Sequence, residues 1–85
     1  MHPNPNTAVL QQDILTLDQA CPGHYRVDGI HSIHDLRMRL AAMGLRKGEP
    51  VQVLVRNRTG AVVQAGETRL ALGNELLKAI RVTPG

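Results

Sequence analysis

LRMRLAAMGLRKGEPVQVLV, residues Leu36 to Val55, decides the fold, together with AVVQAGETRLALGNELLKAIRV, residues Ala61 to Val82. In the first stretch and just before it, Ile33, Leu36, Leu40 and Met43 recur at spacings of three and four. That spacing lays one apolar stripe along a short helix, with Arg37 and Arg39 away from it. Ser32 is placed to cap the helix start, with Asp35 three residues on as an acidic variant of the capping box. Gly44 is the natural stop, because it enters the left-handed region without a Cβ penalty. Lys47-Gly48 then turns the chain. Val51, Val53 and Val55 alternate with Gln52, Leu54 and Arg56, a strand signal that assigns the three valines to the core.

The rest of the chain repeats this strand grammar. Asn57 to Gly60 is a hairpin loop and Ala61 to Ala65 the returning strand. Gly66-Glu67 turns into a strand over Thr68 to Leu72, which Gly73-Asn74 breaks. Glu75 to Lys78 forms a helical turn, Ala79 to Val82 a closing strand, and Thr83 to Gly85 a tail. Upstream, Leu15-Thr16-Leu17 is a short apolar–polar–apolar run. Pro22-Gly23 is a turn, and His24 to Ile30 is a strand in which Gly29 marks a bulge. The polar residues 1–14 read as a flexible tail, and residues 15–83 as one domain. The class is mainly β with one short helix plus a helical turn. So many short strands hide their edges and share a core by curling into a small, partly open SH3-like barrel, with the helix plugging one end.

Composition limits what such a barrel does. An 85-residue chain buries only about 60–65% of the surface its unfolded form exposes, which leaves little room for a deep cleft. Tyr25 is the only aromatic residue, so the core is aliphatic and the stacking platforms of single-strand nucleic-acid binders are missing. The net charge of +3 permits an anionic partner. Arg37, Arg39, Arg46 and Lys47 are the one local cluster, short of the dense stripe of a basic DNA-binding arm. Nucleic acid is therefore not expected as a partner. Cys21 stands alone, which excludes an internal disulfide and a cysteine-rich zinc cage and fits a reducing cytoplasm. The N-terminus lacks the pattern of a signal peptide, and no apolar run approaches the ~20 residues of a membrane span.

Enzyme signals are poor. Gly44 to Gly48 lacks the spacing and ending of a phosphate-binding loop. Cys21-x-x-His24 has no orienting third group. The same pair, and His31-x-x-His34 with Asp35 beside it, are the candidate metal ligands, since imidazole suits iron, zinc and nickel and thiolate suits zinc and copper. Each pair supplies half a site, so any Fe(II) or other divalent ion would be held weakly or shared with another chain, and no cofactor is required. Protein binding has more support, because a small barrel offers a groove and edge strands to other chains. The corner at Met43, Leu45, Arg46 and Lys47 and the loop at Asn57 and Arg58 are the candidate contact residues. Leu45 either packs back on the helix or faces a partner.

From Leu15 to about Val82 the chain resembles the FeoA family. The resemblance rests on the order and spacing of several pieces: Leu15-Thr16-Leu17, Cys21-Pro22-Gly23, Arg39-Leu40, Met43-Gly44-Leu45, Lys47-Gly48, Val51-Gln52-Val53-Leu54, Arg69-Leu70-Ala71-Leu72 and Ile80-Arg81-Val82. The hairpin at Asn57 to Gly60 is shorter than in many relatives, and the polar N-terminal segment is longer. The resemblance implies an SH3-like fold and a cytosolic, non-enzymatic accessory role in ferrous-iron uptake. Its implied partner is the FeoB-type membrane permease, reached through the permease's cytoplasmic GTPase region, so that the membrane is met only through that partner. Homologous domains also occur fused to metal-responsive repressors, where they act as binding modules; the alternative for this chain is a transition-metal-binding sensor or regulatory module acting alone through Cys21, His24, His31 or His34. The family lends no catalytic residues.

Overall fold

Alternation between apolar and polar residues builds most of this molecule, and two bulges set its limits. The computed structural model describes residues 13–85; residues 1–12, and with them most of the expected tail, lie outside the described residues. Strand β1 (Leu15–Thr16) passes directly into a 3-10 turn at Leu17–Gln19. Then follow β2 (Gly23–Ile30), α1 (His34–Ala42), β3 (Pro50–Arg56), β4 (Gly60–Ala65), β5 (Thr68–Gly73), the single turn α2 (Asn74–Leu77) and β6 (Ile80–Pro84).

The six strands form one antiparallel sheet in the order β1-β6-β2-β3-β4-β5. The last strand thus lies inside the sheet, with Val82 opposite both Leu15 and Val27. Strands β1 and β5 are the two edges and do not pair with each other. The gap at one end is covered where the 3-10 turn meets α2, through the fully buried Leu17 and Leu77. This is the partly open, SH3-like arrangement that the strand count demands. Thr83 and Pro84, read from sequence as a tail, instead extend β6 opposite Arg26 and Tyr25.

The core is aliphatic, and among the described residues no polar or charged residue is buried as a whole. Val27, Val53, Val63, Ile80 and Val82 come from neighbouring strands, and burying each such side chain is worth about 1.5–3 kcal/mol. Gly60 lets β4 and β5 approach: a Cβ there would lie 2.1 Å from the Leu72 carbonyl oxygen.

The bulges redirect side chains. In β2 the register shifts between Val27 and Gly29, leaving Asp28 as the extra residue next to the glycine expected to mark a bulge. In β3 it shifts between Val53 and Val55, so Val53 faces Val63 while Val55 faces Val62. Leu54 is the extra residue, and beyond it the inward and outward faces exchange. Val51 and Val53 are buried, but Val55 is 54% exposed, which corrects the assignment of all three valines to the core. Arg56 is half-buried instead, and its guanidinium donates to the Leu17 carbonyl (2.8 Å).

Helix α1 also departs from the expected pattern. It begins at His34, with Ile33 rather than Ser32 in the cap position and no side-chain cap bond. The His31 N–H donates to the Ala79 carbonyl (2.7 Å), which carries the extended backbone one residue past β2 and delays the helix. Ile33 is left 72% exposed, and Leu40 is the only buried residue of the helix proper. Leu36 and Met43 are half-buried against the core beside Leu40, so three of the four expected stripe residues cap the barrel and only Ile33 departs. The turn beyond the helix is a Schellman motif: Leu45 N–H donates to the Leu40 carbonyl (2.9 Å) and Gly44 N–H to the Ala41 carbonyl (3.0 Å). Gly44 has φ +98°, and its Cα side meets Ala65 at the end of β4.

Candidate functional site

The bulge in β2, one face of α1 and the turn after it enclose an open groove of about 480 Å³. His34, Arg37, Met38 and Ala41 line it from the helix, at the offsets of three, four and seven that put residues on one helical face. Arg46 and Lys47 line it from the turn, Asp28 to Ile30 from β2, and His31 from just beyond β2. Arg81 reaches it from β6, whose residue 81 pairs with Gly29 just after the bulge. The turn is tied to β2 by three bonds: Gly48 N–H to the Val27 carbonyl (2.7 Å), Val27 N–H to the Glu49 carbonyl (2.9 Å), and the Arg26 guanidinium to the Gly48 carbonyl (2.5 Å). Two walls of the groove are thereby fixed relative to each other.

The groove is basic. Arg37, Arg46, Lys47 and Arg81 face a single lining carboxylate, Asp28. Only Arg46 has an ion-pair partner, Glu49 at 3.9 Å, and both side chains are about half exposed or more, so the pair is worth little. Among the described residues, which include all seven Asp and Glu of the chain, Arg37, Lys47 and Arg81 have no carboxylate within 4.0 Å. Arg81 donates to Nε2 of His31, and its own Nε, buried, has no partner. A guanidinium only donates, so Nε2 of His31 is the acceptor in this contact.

Sequence-derived candidates separate on this framework. His31 and His34 do share the groove, but the guanidinium of Arg81 stands on Nε2, one of the two nitrogens that His31 could offer to a metal. Cys21 and His24 are both exposed and elsewhere. His24 lines a second hollow with Tyr25, Gln52 and Gln64, and the Cys21 carbonyl accepts from the Tyr25 hydroxyl (2.7 Å). Among the described residues no three His, Cys, Asp or Glu side chains come together as a metal-binding group. Arg46 and Lys47 line the groove and Met43 is half-buried beside the core. Leu45 borders the groove as well, but it is fully buried, because the Schellman motif folds it back on Leu40, so of its two expected positions it takes the one packed on the helix. Asn57 is spent on its own loop, its Oδ1 accepting from Thr59 N–H, Thr59 Oγ1 and Gly60 N–H (2.9–3.0 Å). The Arg58 carbonyl accepts from Asn74 Nδ2 (2.8 Å), while its side chain stays exposed. Sequence reading missed Arg81 and Asp28 as groove residues. The helical offset of Arg37 from His34 was visible in the sequence, but nothing in the chain order brings Arg81 to them.

A family model described as the FeoA domain matches residues 15–84. The chain belongs to the FeoA family. An iron uptake regulatory protein (FeoA) of known crystal structure is 30% identical and superposes with a TM-score of 0.76, covering 82% of this chain and 96% of that one. FeoA from Stenotrophomonas maltophilia, solved with zinc and described as a prokaryotic SH3 domain protein, is 27% identical with a TM-score of 0.69, over 80% of this chain and 88% of that one. ScaR with bound Zn2+ shares the fold at 23% identity and a TM-score of 0.74, over 84% of this chain but 37% of its own. No curated protein matches the chain. The FeoA family is associated with ferrous-iron transport, and its domain is a small accessory SH3-like unit rather than a known enzyme fold. No helix among the described residues is long and apolar enough to cross a membrane.

Proposed function

We propose that this protein is a cytoplasmic, non-enzymatic accessory domain of ferrous-iron uptake that binds the cytoplasmic GTPase region of a FeoB-type permease and modulates it. The supporting observation is the family match over residues 15–84, together with 30% identity to a FeoA of known structure. Chemistry of the surface agrees with a binding role. The hollows are open to solvent, whereas catalysis relies on fixed dipoles in a water-excluded site. Calorimetric titration of the full chain into the soluble GTPase region, with and without guanine nucleotide, tests the reading. Saturable binding in at least one nucleotide state is expected, and no heat in any state overturns it.

A second reading, a metal-responsive module, has one specific support: His31 and His34 share a groove. Two imidazoles leave a metal ion half-ligated, so the remaining ligands would come from a second chain.

A further inference from the structure

Charge in this chain is distributed unevenly. The groove holds four of the ten Lys and Arg side chains against one of the seven Asp and Glu, so the remaining six cations and six carboxylates balance. Most of the formal excess of +3 therefore sits in one place, where Glu49 beside Arg46 brings the local balance to +2. Three of its cations lack a carboxylate partner among the described residues. Beneath them the surface is aliphatic, with Ile30, Met38 and Ala41 in the lining and Met38 58% exposed.

From this we propose that the groove docks an acidic segment of a partner protein, one that carries carboxylates around an aliphatic anchor. The cations would pair with the carboxylates at the rim, where such contacts set orientation and encounter rate. The aliphatic floor would take the anchor. Charge complementarity argues for this occupant over others. A nucleic-acid strand would satisfy the cations but leave the aliphatic floor without a partner, and no Phe, Tyr or Trp lines the groove for a base to stack on, His31 and His34 being its only ring side chains. A volume of about 480 Å³, open along one side, also exceeds what a single small anion fills.

The partner named under the proposed function is the natural bearer of such a segment, and to that extent the inference rests on that reading. The test keeps the two apart. Wild type, the reversal variant Arg37→Glu/Lys47→Glu and a charge-matched control off the groove, Arg39→Glu/Arg69→Glu, are compared as full chains; all four positions are exposed, and circular dichroism checks their folding. Each is titrated with the permease's GTPase region and, separately, with a synthetic peptide alternating Glu and Leu, followed by amide chemical shifts. Where the GTPase region binds wild type, the inference expects the reversal variant to bind at least ~10-fold more weakly while the control changes little. Equal binding by all three overturns the groove and leaves the proposed function standing. Where the GTPase region does not bind, the proposed function fails and the peptide decides. Shifts at Ile30, Arg37 and Lys47 that the reversal variant loses uphold the groove, and no shifts, or shifts elsewhere, overturn it. A short DNA duplex or phosphatidylserine vesicles that bind the same residues more tightly than either acidic ligand also overturn it, in favour of a nucleic acid or a membrane surface.

Discussion

The backbone of Leu45 is held by Leu40: the N–H of the first donates to the carbonyl of the second at 2.9 Å, and both side chains are buried. One glycine makes this possible. Gly44 lies at φ +98° with Ala65 Cβ 3.3 Å from where its own Cβ would be. Gly44→Ala is expected to destabilise by at least about 1–2 kcal/mol, the cost of left-handed backbone for an L-residue. Leu45→Ala should cost about 2–5 kcal/mol, as for other buried leucines. Urea unfolding of both variants measures this, and a neutral Leu45→Ala would return that residue to the surface.

Gly60 is a test of strand approach. A methyl group there meets the Leu72 carbonyl oxygen, so the β4–β5 ladder has to open. Gly60→Ala is expected to cost about 3 kcal/mol or more, at or beyond the upper end of ordinary overpacking. Gly29→Ala, where no atom lies within 4 Å of the added carbon, should change stability by about 0.5 kcal/mol or less.

The β3 bulge separates two valines that look alike in sequence. Val53→Thr buries a hydroxyl among aliphatic neighbours and should cost about 1–3 kcal/mol. Val55→Thr, beyond the bulge, should stay within about 0.5 kcal/mol of wild type. Thermal melts of the two variants suffice, and equal losses would mean that the bulge is absent in solution.

Asn57 closes its loop through one oxygen. Asn57→Ala removes three bonds and is expected to lower stability by about 1–2 kcal/mol, within the usual net worth of such bonds. Asn57→Asp keeps the acceptor and should recover most of the loss in the same melts.

Metal binding by the isolated chain is expected to be weak, because Arg81 occupies His31 Nε2 and places a cation beside it. Cobalt titration followed by visible absorption should show little difference between wild type and His31→Ala/His34→Ala. Arg81→Ala, which frees the ring nitrogen, should strengthen whatever binding is present. Tight binding by wild type that the double variant loses would favour the metal-responsive reading.

Much of this architecture is legible in the sequence, and the misreadings share a cause. Val51 and Val53, Gly44 and the Pro22-Gly23 turn follow local rules, since alternation and turn chemistry are set by neighbours in the chain. Val55, Ser32 and Thr83 did not, because each depends on pairing with a distant strand. The bulge is defined only against Val62 and Val63, the delayed helix by the bond from His31 to Ala79, and the longer β6 by Tyr25 and Arg26. The groove obeys the same division. Its helical half, His34 and Arg37, is written in a spacing of three, whereas Arg81 arrives only because β6 inserts beside β2.

Most of the excess charge is gathered at one mouth, which makes the field around the molecule uneven. A negatively charged surface would rotate it during approach, so that the groove leads before any contact forms. Ionic strength should then act mainly on how fast complexes form and far less on how long they last. For a domain of this size, orientation in flight extends its reach beyond the few side chains that finally touch.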